Sequence, residues 1–403
     1  MTAPLRVMVV HNRYRSEQPS GEDRVVDQES ALLQDAGVAV ERFLRHSDDI
    51  ARMSLPAKAA VPLRVPWNPQ ARTALADALR AHRSDVVHIH STFPLLSPSV
   101  LAACADVGVP AVATLHNYTQ VCAPGTFYRD GRVCTDCAGG SPLPAVRNGC
   151  YRGSALATLP LAVSLVANRA RWWTSVARFL CLSASQRNLL VQCGMPAERM
   201  AVHPNIVPDP GVRRSGSGEH VLYLGRMTEE KGLRTLMAAW ERLARRGAAT
   251  LPLVLAGSGP MDAEVAAWAA ARADARFVGL QSRPECAALL GGAAAVVVPS
   301  VWLEAFGLVV VEAMAAGVPV VASAHGAFVE LVDDGVTGLL HRPADAEALA
   351  ERLAEVLRDP QRNRAMGEAA RARYERDFVP AAGVERLLRE YRAAMAHSVC
   401  APL

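Results

Sequence analysis

Glu304 and Glu312 stand eight positions apart in the segment Pro299-Ser300-Val301-Trp302-Leu303-Glu304-Ala305-Phe306-Gly307-Leu308-Val309-Val310-Val311-Glu312. The apolar run before it, residues 293–298, reads as a strand. A helix is expected to open near Gly307 and to carry Glu312 about two turns in. That order places two carboxylates beside unpaired helix N–H groups at the C-terminal edge of a parallel sheet. Such a spot suits a ligand bearing both phosphates and hydroxyls. Taken alone, the two acids read equally well as unrelated surface groups.

A second set of groups lies in Leu224-Gly225-Arg226-Met227-Thr228-Glu229-Glu230-Lys231-Gly232, where another strand hands over to a helix. Gly225 permits a tight turn, and Arg226 and Lys231 supply two cations that can neutralise a diphosphate, including one that gains charge as a bond to it breaks. The alternative is a pair of solvated cations beside Glu229 and Glu230. Lys58 and Lys231 are the only lysines of the sequence, which singles out Lys231 for a place where a compact ammonium is wanted. Gly257-Ser258-Gly259 makes a further glycine turn after the next strand, a weak signal that fits ligand approach or plain turn chemistry.

In the first half, His116 ends the strand-like Thr114-Leu115-His116-Asn117, and Ser20-Gly21-Glu22-Asp23 opens a helix after the loop from Asn12. His88 and His90 are expected to alternate to opposite faces of a strand and to serve packing. Of nine cysteines, Cys104, Cys181, Cys193, Cys286 and Cys400 are scattered and read as small hydrophobes or free thiols. Cys122, Cys134, Cys137 and Cys150 fall together among glycines and prolines, a spacing that suits a tetrahedral structural zinc; disulfides and unlinked thiols are the alternatives. Arg171-Trp172-Trp173 and Arg178 are placed on one helix, which packs on its own domain or touches a membrane surface.

These groups need two scaffolds. At 403 residues, two domains are the natural prior, and apolar runs alternate with helical stretches as in parallel α/β folds. Strands are expected at 5–10, 38–44, 86–89, 111–114 and 179–182, then at 221–224, 252–256, 276–278, 294–298 and 318–322. Between the two sets, Asn205-Ile206-Val207-Pro208-Asp209-Pro210-Gly211 reads as a linker. The domains are therefore drawn as 1–208, with a cysteine-rich insertion at 122–150, and 209–380; residues 381–403 form a helix returning to the first domain. Two doubly wound Rossmann-like domains facing across a cleft is the expected architecture. A net charge of +4 and the lack of basic runs with interleaved aromatics argue against nucleic acid. Met1-Thr2-Ala3-Pro4 leads straight into an apolar run and no uninterrupted apolar stretch is long enough to span a bilayer, so a cytoplasmic protein is expected.

The order Gly-Arg-x4-Lys-Gly, Gly-x-Gly and Glu-x7-Glu, followed by Ala313-Met314-Ala315-Ala316-Gly317-Val318-Pro319-Val320-Val321-Ala322, resembles the GT-B-fold retaining glycosyltransferases of family 4. The resemblance implies metal-independent transfer of a sugar from a nucleoside-diphosphate sugar to an acceptor hydroxyl. It implies that Arg226 and Lys231 hold the diphosphate, that Glu304 meets the sugar hydroxyls, and that Phe306, Gly307 and Leu308 offer backbone to the phosphates. Glu312 would hold the ribose, Gly21, Gly225 and Gly257 would line the donor, and His116 would stand at the reacting centre. Members acting on lipid-linked acceptors often rest on membranes, which suggests peripheral contact with the inner membrane face. Alternatives are a nucleotide-sugar epimerase or hydrolase of the same fold, and a catalytically idle nucleotide-sugar binding protein.

Overall fold

The computed structural model of the chain describes residues 4–16 and 20–399; Cys400 and positions 17–19 of the loop before Gly21 lie outside them. Two compact units form, the first from Met1–Phe127, Cys134–Ile206 and Pro380–Leu403, the second from Tyr128–Val133 and Val207–Val379. The strands in chain order begin with β1 (Arg6–Arg13), β2 (Ala39–His46), β3 (Val86–Ile89), β4 (Ala111–Leu115) and the two-residue β5 (Tyr128–Arg129) and β6 (Arg132–Val133). They continue with β7 (Val176–Cys181), β8 (Met200–Val202), β9 (His220–Leu224), β10 (Leu253–Ala256), β11 (Ala275–Gly279), β12 (Ala293–Val298), β13 (Val320–Ser323) and β14 (Gly338–His341).

The first unit carries a sheet in the order β2-β1-β3-β4-β7-β8, the second one in the order β11-β10-β9-β12-β13-β14, and every neighbouring pair in both is parallel. Both strand sets are buried nearly throughout at their centres, as sheets covered by helices on each face must be. Strand order reverses between β1 and β3 in one unit and between β9 and β12 in the other. Ligands in open parallel sheets bind outside the carboxyl ends of the strands at such a reversal. Arg226 and Lys231 follow β9, and Glu304 follows β12, so they flank the second reversal.

The region from Ala344 holds three helices, Ala346–Arg358, Pro360–Asp377 and Pro380–Val399. The last of them lies on the first unit, where Val384, Leu387, Tyr391 and Ala394 share a core with Val7, Val9, Val86 and Leu180. Glu390 of that helix meets Arg178 at 2.8 Å. Arg178 is thus on β7 and not on the helix that precedes it, which ends at Ser175.

Candidate functional site

Four strand-end loops of the second unit are tied around Glu304. After β9, Gly225 N–H donates to Ala256 O (3.0 Å) and Met227 N–H to Ser258 O (2.9 Å), joining that loop to the one after β10. Val301 N–H donates to Glu230 O (2.9 Å), joining it to the loop after β12. Ala327 N–H, after β13, donates to Glu304 O (3.1 Å), and His325 Nε2 donates to Ser300 O (2.8 Å). Two glycines make the close approaches. Gly232 has φ +75° and a Cβ there would lie 1.9 Å from Pro299 O; Gly257 has φ +141° and its Cβ would lie 1.8 Å from Gly225 O. No other residue fits either place.

Within this frame the Lys231 ammonium pairs with Glu304 Oε1 and stands 5.3 Å from the Trp302 ring centroid. Ser300 Oγ donates to the same carboxylate oxygen at 3.0 Å. Glu304 is 7% exposed, so burial pushes its carboxyl up, but the Lys231 charge and the hydrogen bonds from Lys231 and Ser300 hold it below the ordinary carboxylate range. Arg226 is exposed and its guanidinium meets Glu230 at 3.3 Å, while Thr228 Oγ1 donates to the same Glu230 oxygen at 2.7 Å. Gly307, at φ +107°, caps the helix Leu308–Ala316 without a side-chain bond; Val310 N–H turns back to Gly307 O (3.0 Å), so the first-turn N–H groups left to a ligand are at most those of Leu308 and Val309. Glu312 is the fifth residue of that helix, so at about 3.6 residues per turn it stands a little more than one turn in and not two. Lys231, Glu304 and the Phe306–Leu308 backbone are therefore gathered by the loops after β9 and β12, strands that are distant in sequence and neighbours in the sheet. Ser300, Trp302, Glu230 and His325 join them without having been singled out from the sequence, since only the folded loops bring them to the carboxylate.

The first unit gathers a second group at its own sheet edge. His116 follows β4 and its Nε2 lies 2.9 Å from His90 Nδ1. His88 and His90 do not point to opposite faces: the side-chain period of a strand is two, so residues two apart share a face, and their ring centroids are 4.1 Å apart. Both turn to Glu29 on the helix Gly21–Asp35, with Oε1 3.1 Å from His88 Nδ1 and 3.5 Å from His90 Nε2. His88 Nε2 also meets Thr114 Oγ1 (2.7 Å), and Nδ1 meets the Tyr391 hydroxyl (2.8 Å). Burial pushes His116 down to about 3 and His203 down to about 4, and holds His90 well below the usual imidazole range, so these rings are neutral at pH 7. Beside them, His11 Nε2 lies 2.6 Å from Asp23 Oδ1, and burial raises the Glu22 carboxyl to about 7. Gly21 opens their helix, capped by Ser20, whose Oγ accepts from Glu22 N–H at 3.1 Å.

Among the described residues, Glu29, His88 and His90 form the group of three metal-ligating side chains whose ligand atoms all lie within 4.8 Å of one another; the four clustered cysteines do not form such a group. Cys137 and Cys150 nonetheless share a small apolar cluster with Ala123 and Ala145. Burial pushes the Cys122 thiol up to about 11, against backbone N–H groups of Phe127, Gly125 and Thr126 that turn toward its sulfur. Cys104, Cys181, Cys193 and Cys286 are free thiols. Arg171 donates to Asn168 Oδ1 (2.6 Å) and covers the Trp67 ring at 4.5 Å, so the Arg-Trp-Trp segment packs on its own unit. No helix among the described residues is long and apolar enough to cross a membrane.

Comparison with known proteins agrees with this geometry. Residues 19–209 match the family model Glycosyltransferase Family 4, and residues 212–373 match Glycosyl transferases group 1. A glycogen synthase of Mycobacterium tuberculosis is 40% identical over 172 residues, 41% of this chain and 40% of that protein. A D-inositol 3-phosphate glycosyltransferase of Mycolicibacterium paratuberculosis is 34% identical over 223 residues, 50% of this chain and 48% of that protein. The match thus spans less than half the length of these curated relatives. Sucrose-phosphate synthase from Thermosynechococcus elongatus superposes with a TM-score of 0.71 at 20% identity, covering 98% of this chain and 100% of the other. Anabaena HepE, solved in complex with UDP-glucose, superposes with a TM-score of 0.67 at 18% identity, covering 96% of this chain and 98% of the other; at such identities the likeness is one of fold. The chain belongs to the GT-B-fold glycosyltransferases of family 4.

Proposed function

We propose that the protein transfers a sugar from a nucleoside-diphosphate sugar to an acceptor hydroxyl, with retention of configuration and without a catalytic metal. The observation that carries this reading is the buried Glu304 carboxylate held ionised by Lys231 beside an uncapped helix start at a strand-order reversal. A carboxylate kept in that state is a good acceptor for sugar hydroxyls, and the Leu308 turn offers N–H groups to phosphate oxygens. Lys231 and Arg226 would take up charge that develops on the leaving diphosphate. Glu312 is assigned to the ribose, Gly21, Gly225 and Gly257 to donor approach, and His116 to the first unit's share of the reacting centre. The relatives' names and the UDP-glucose of HepE support a nucleotide-sugar donor. With purified protein, UDP-, GDP- and ADP-sugars screened by thermal shift should yield at least one that raises the melting temperature, and that donor should be turned over only when an acceptor is added. Release of free sugar without acceptor would identify the hydrolase or epimerase alternative, and binding without turnover the idle one.

We also infer a structural zinc held by Cys122, Cys134, Cys137 and Cys150, supported by their spacing and by the nearness of Cys134 and Cys150 to Cys137, whose thiol burial and these two neighbours push up; the four sulfurs stand wider apart here than one ion requires and would have to draw together to ligate it. One zinc per chain is expected from metal analysis of protein purified without added metal, falling to none in Cys134→Ser/Cys137→Ser. Equal metal content in both would remove the assignment.

A further inference from the structure

The helix Ala155–Ser175 in the first unit shows solvent an unusual face. Its exposed residues from position 155 to 170 are Ala155, Leu156, Leu159, Val163, Val166, Ala167 and Ala170, with no polar side chain among them. Leu156 is 83% exposed and Val166 63%. These positions recur at three- and four-residue steps, so they form one stripe along the helix. The opposite side holds Thr158, Ala162 and Asn168, which are buried. Against it packs the helix Leu55–Arg64, joined through Asn168 Nδ2 to Pro66 O (2.9 Å). That helix buries none of its residues and exposes Leu55, Pro56, Ala59, Pro62 and Leu63, again without a polar side chain. A surface helix of a soluble protein turns its polar face to water; these two do the reverse.

The charges around this face have one sign. No acidic residue occurs in 50–76 or in 137–197, although the chain holds 39 of them. The same two stretches carry ten basic residues, so the remainder of a chain of net charge +4 is net −6. Lys58 and Arg64 lie on the first of these helices, Arg52, Arg147 and Arg152 precede the two in sequence, and among the described residues none of the five has an ion-pair partner. Apolar side chains with unpaired cations near them in sequence and no acid among them match an anionic lipid surface: the apolar face enters the headgroup boundary while the arginines and the lysine remain with the phosphates. A protein partner would be expected to leave some acidic or hydrogen-bonding group on the stripe to fix register, and this one has none.

We propose that the helices Leu55–Arg64 and Ala155–Ser175 form a docking face for an anionic bilayer, with Leu156, Leu159, Val163 and Val166 inserted and the flanking cations on the headgroups. The face lies N-terminal to Arg171-Trp172-Trp173, which are occupied by contacts within the unit. It stands independently of the donor site, and its failure would leave that reading untouched.

Co-sedimentation of the full chain with vesicles tests it. The wild type should pellet with vesicles of phosphatidylcholine and phosphatidylglycerol in equal parts, remain in solution with phosphatidylcholine alone, and release as salt is raised. Leu159→Glu/Val163→Glu should weaken partitioning by about tenfold or more with an unchanged melting curve, because both positions are exposed. Leu280→Glu, at a more exposed site of the second unit, should bind as the wild type does. The proposal is overturned if the wild type ignores anionic vesicles, or if Leu159→Glu/Val163→Glu binds them undiminished. A wild-type dimer that this variant splits, without vesicle binding, would assign the face to a second copy of the chain.

Discussion

Lys231→Met is expected to lose about a thousandfold in transfer rate and to be less stable than Glu304→Gln or than the double variant. The reason is the asymmetry of a buried pair. Removing the ammonium leaves the Glu304 carboxylate, 7% exposed, with Ser300 Oγ as its remaining side-chain partner among these groups. An unpaired buried charge of that kind costs about 3–5 kcal/mol, or is relieved by taking up a proton. Lys231→Met/Glu304→Gln removes the charge together with its partner, so most of that loss should be regained. Activity should not return with stability, because the diphosphate has lost a cation and the sugar its carboxylate. Melting temperatures and initial rates of all three variants decide this. A double variant within tenfold of wild-type rate would show that the pair serves the fold and that transfer, if present, is carried elsewhere.

Much of this arrangement is legible in the sequence, for identifiable reasons. Strands β10 and β12 are short unbroken apolar runs, and β3, β4 and β9 are nearly so, with His88, Thr114 and His220 as their polar members; buried parallel strands read in that way. Edge strands β8 and β14 did not stand out, because three or four residues at a sheet margin need no distinctive pattern. Lys231 is conspicuous through the rarity of lysine, whereas Ser300, which shares the Glu304 carboxylate with it, and the neighbouring Trp302 are ordinary residues until the loops after β9 and β12 meet. Glu29 was invisible for a different reason. It sits within the helix Gly21–Asp35, where one more acid looks like a solvated face, and only the packing of that helix against β1 and β2, which brings Glu29 to His88, turns it inward. The shared face of His88 and His90 was readable from their spacing of two, so that error was one of parity and not of missing information. The apolar stripe on Ala155–Ser175 shows the limit of pattern reading: an amphipathic repeat looks the same whether its apolar side meets a core or is left outside.

Acidification should destabilise the protein well above the range in which its carboxylates titrate, and His203→Leu should blunt that response. In the folded chain burial holds His116 at about 3 and His203 at about 4, with His90 well below its usual value, whereas each titrates near 6.5 when unfolded. The folded state therefore binds fewer protons than the unfolded state below pH 6.5, and stability present above that pH is lost as it falls toward 4. At about 1.4 kcal/mol per pKa unit, His203 alone withdraws on the order of 3 kcal/mol over that interval. Glu22 works in the opposite direction: raised to about 7, it favours the folded state as pH drops from 7 toward 4.5. Three imidazoles outweigh one carboxyl, so unfolding of the first unit at pH 5 should take up about two protons. In the second unit His341, pushed down to about 4 by burial, adds to the loss. His203 is the informative site because it is 2% exposed and neither ring nitrogen has a hydrogen-bond partner among the described residues. Leucine there removes a desolvated polar ring at little cost in packing, so His203→Leu should melt close to wild type at pH 7.5 and above it at pH 5. Melting curves of both proteins across that interval test the argument, and a wild-type melting temperature that is flat or rises toward pH 5 would refute it.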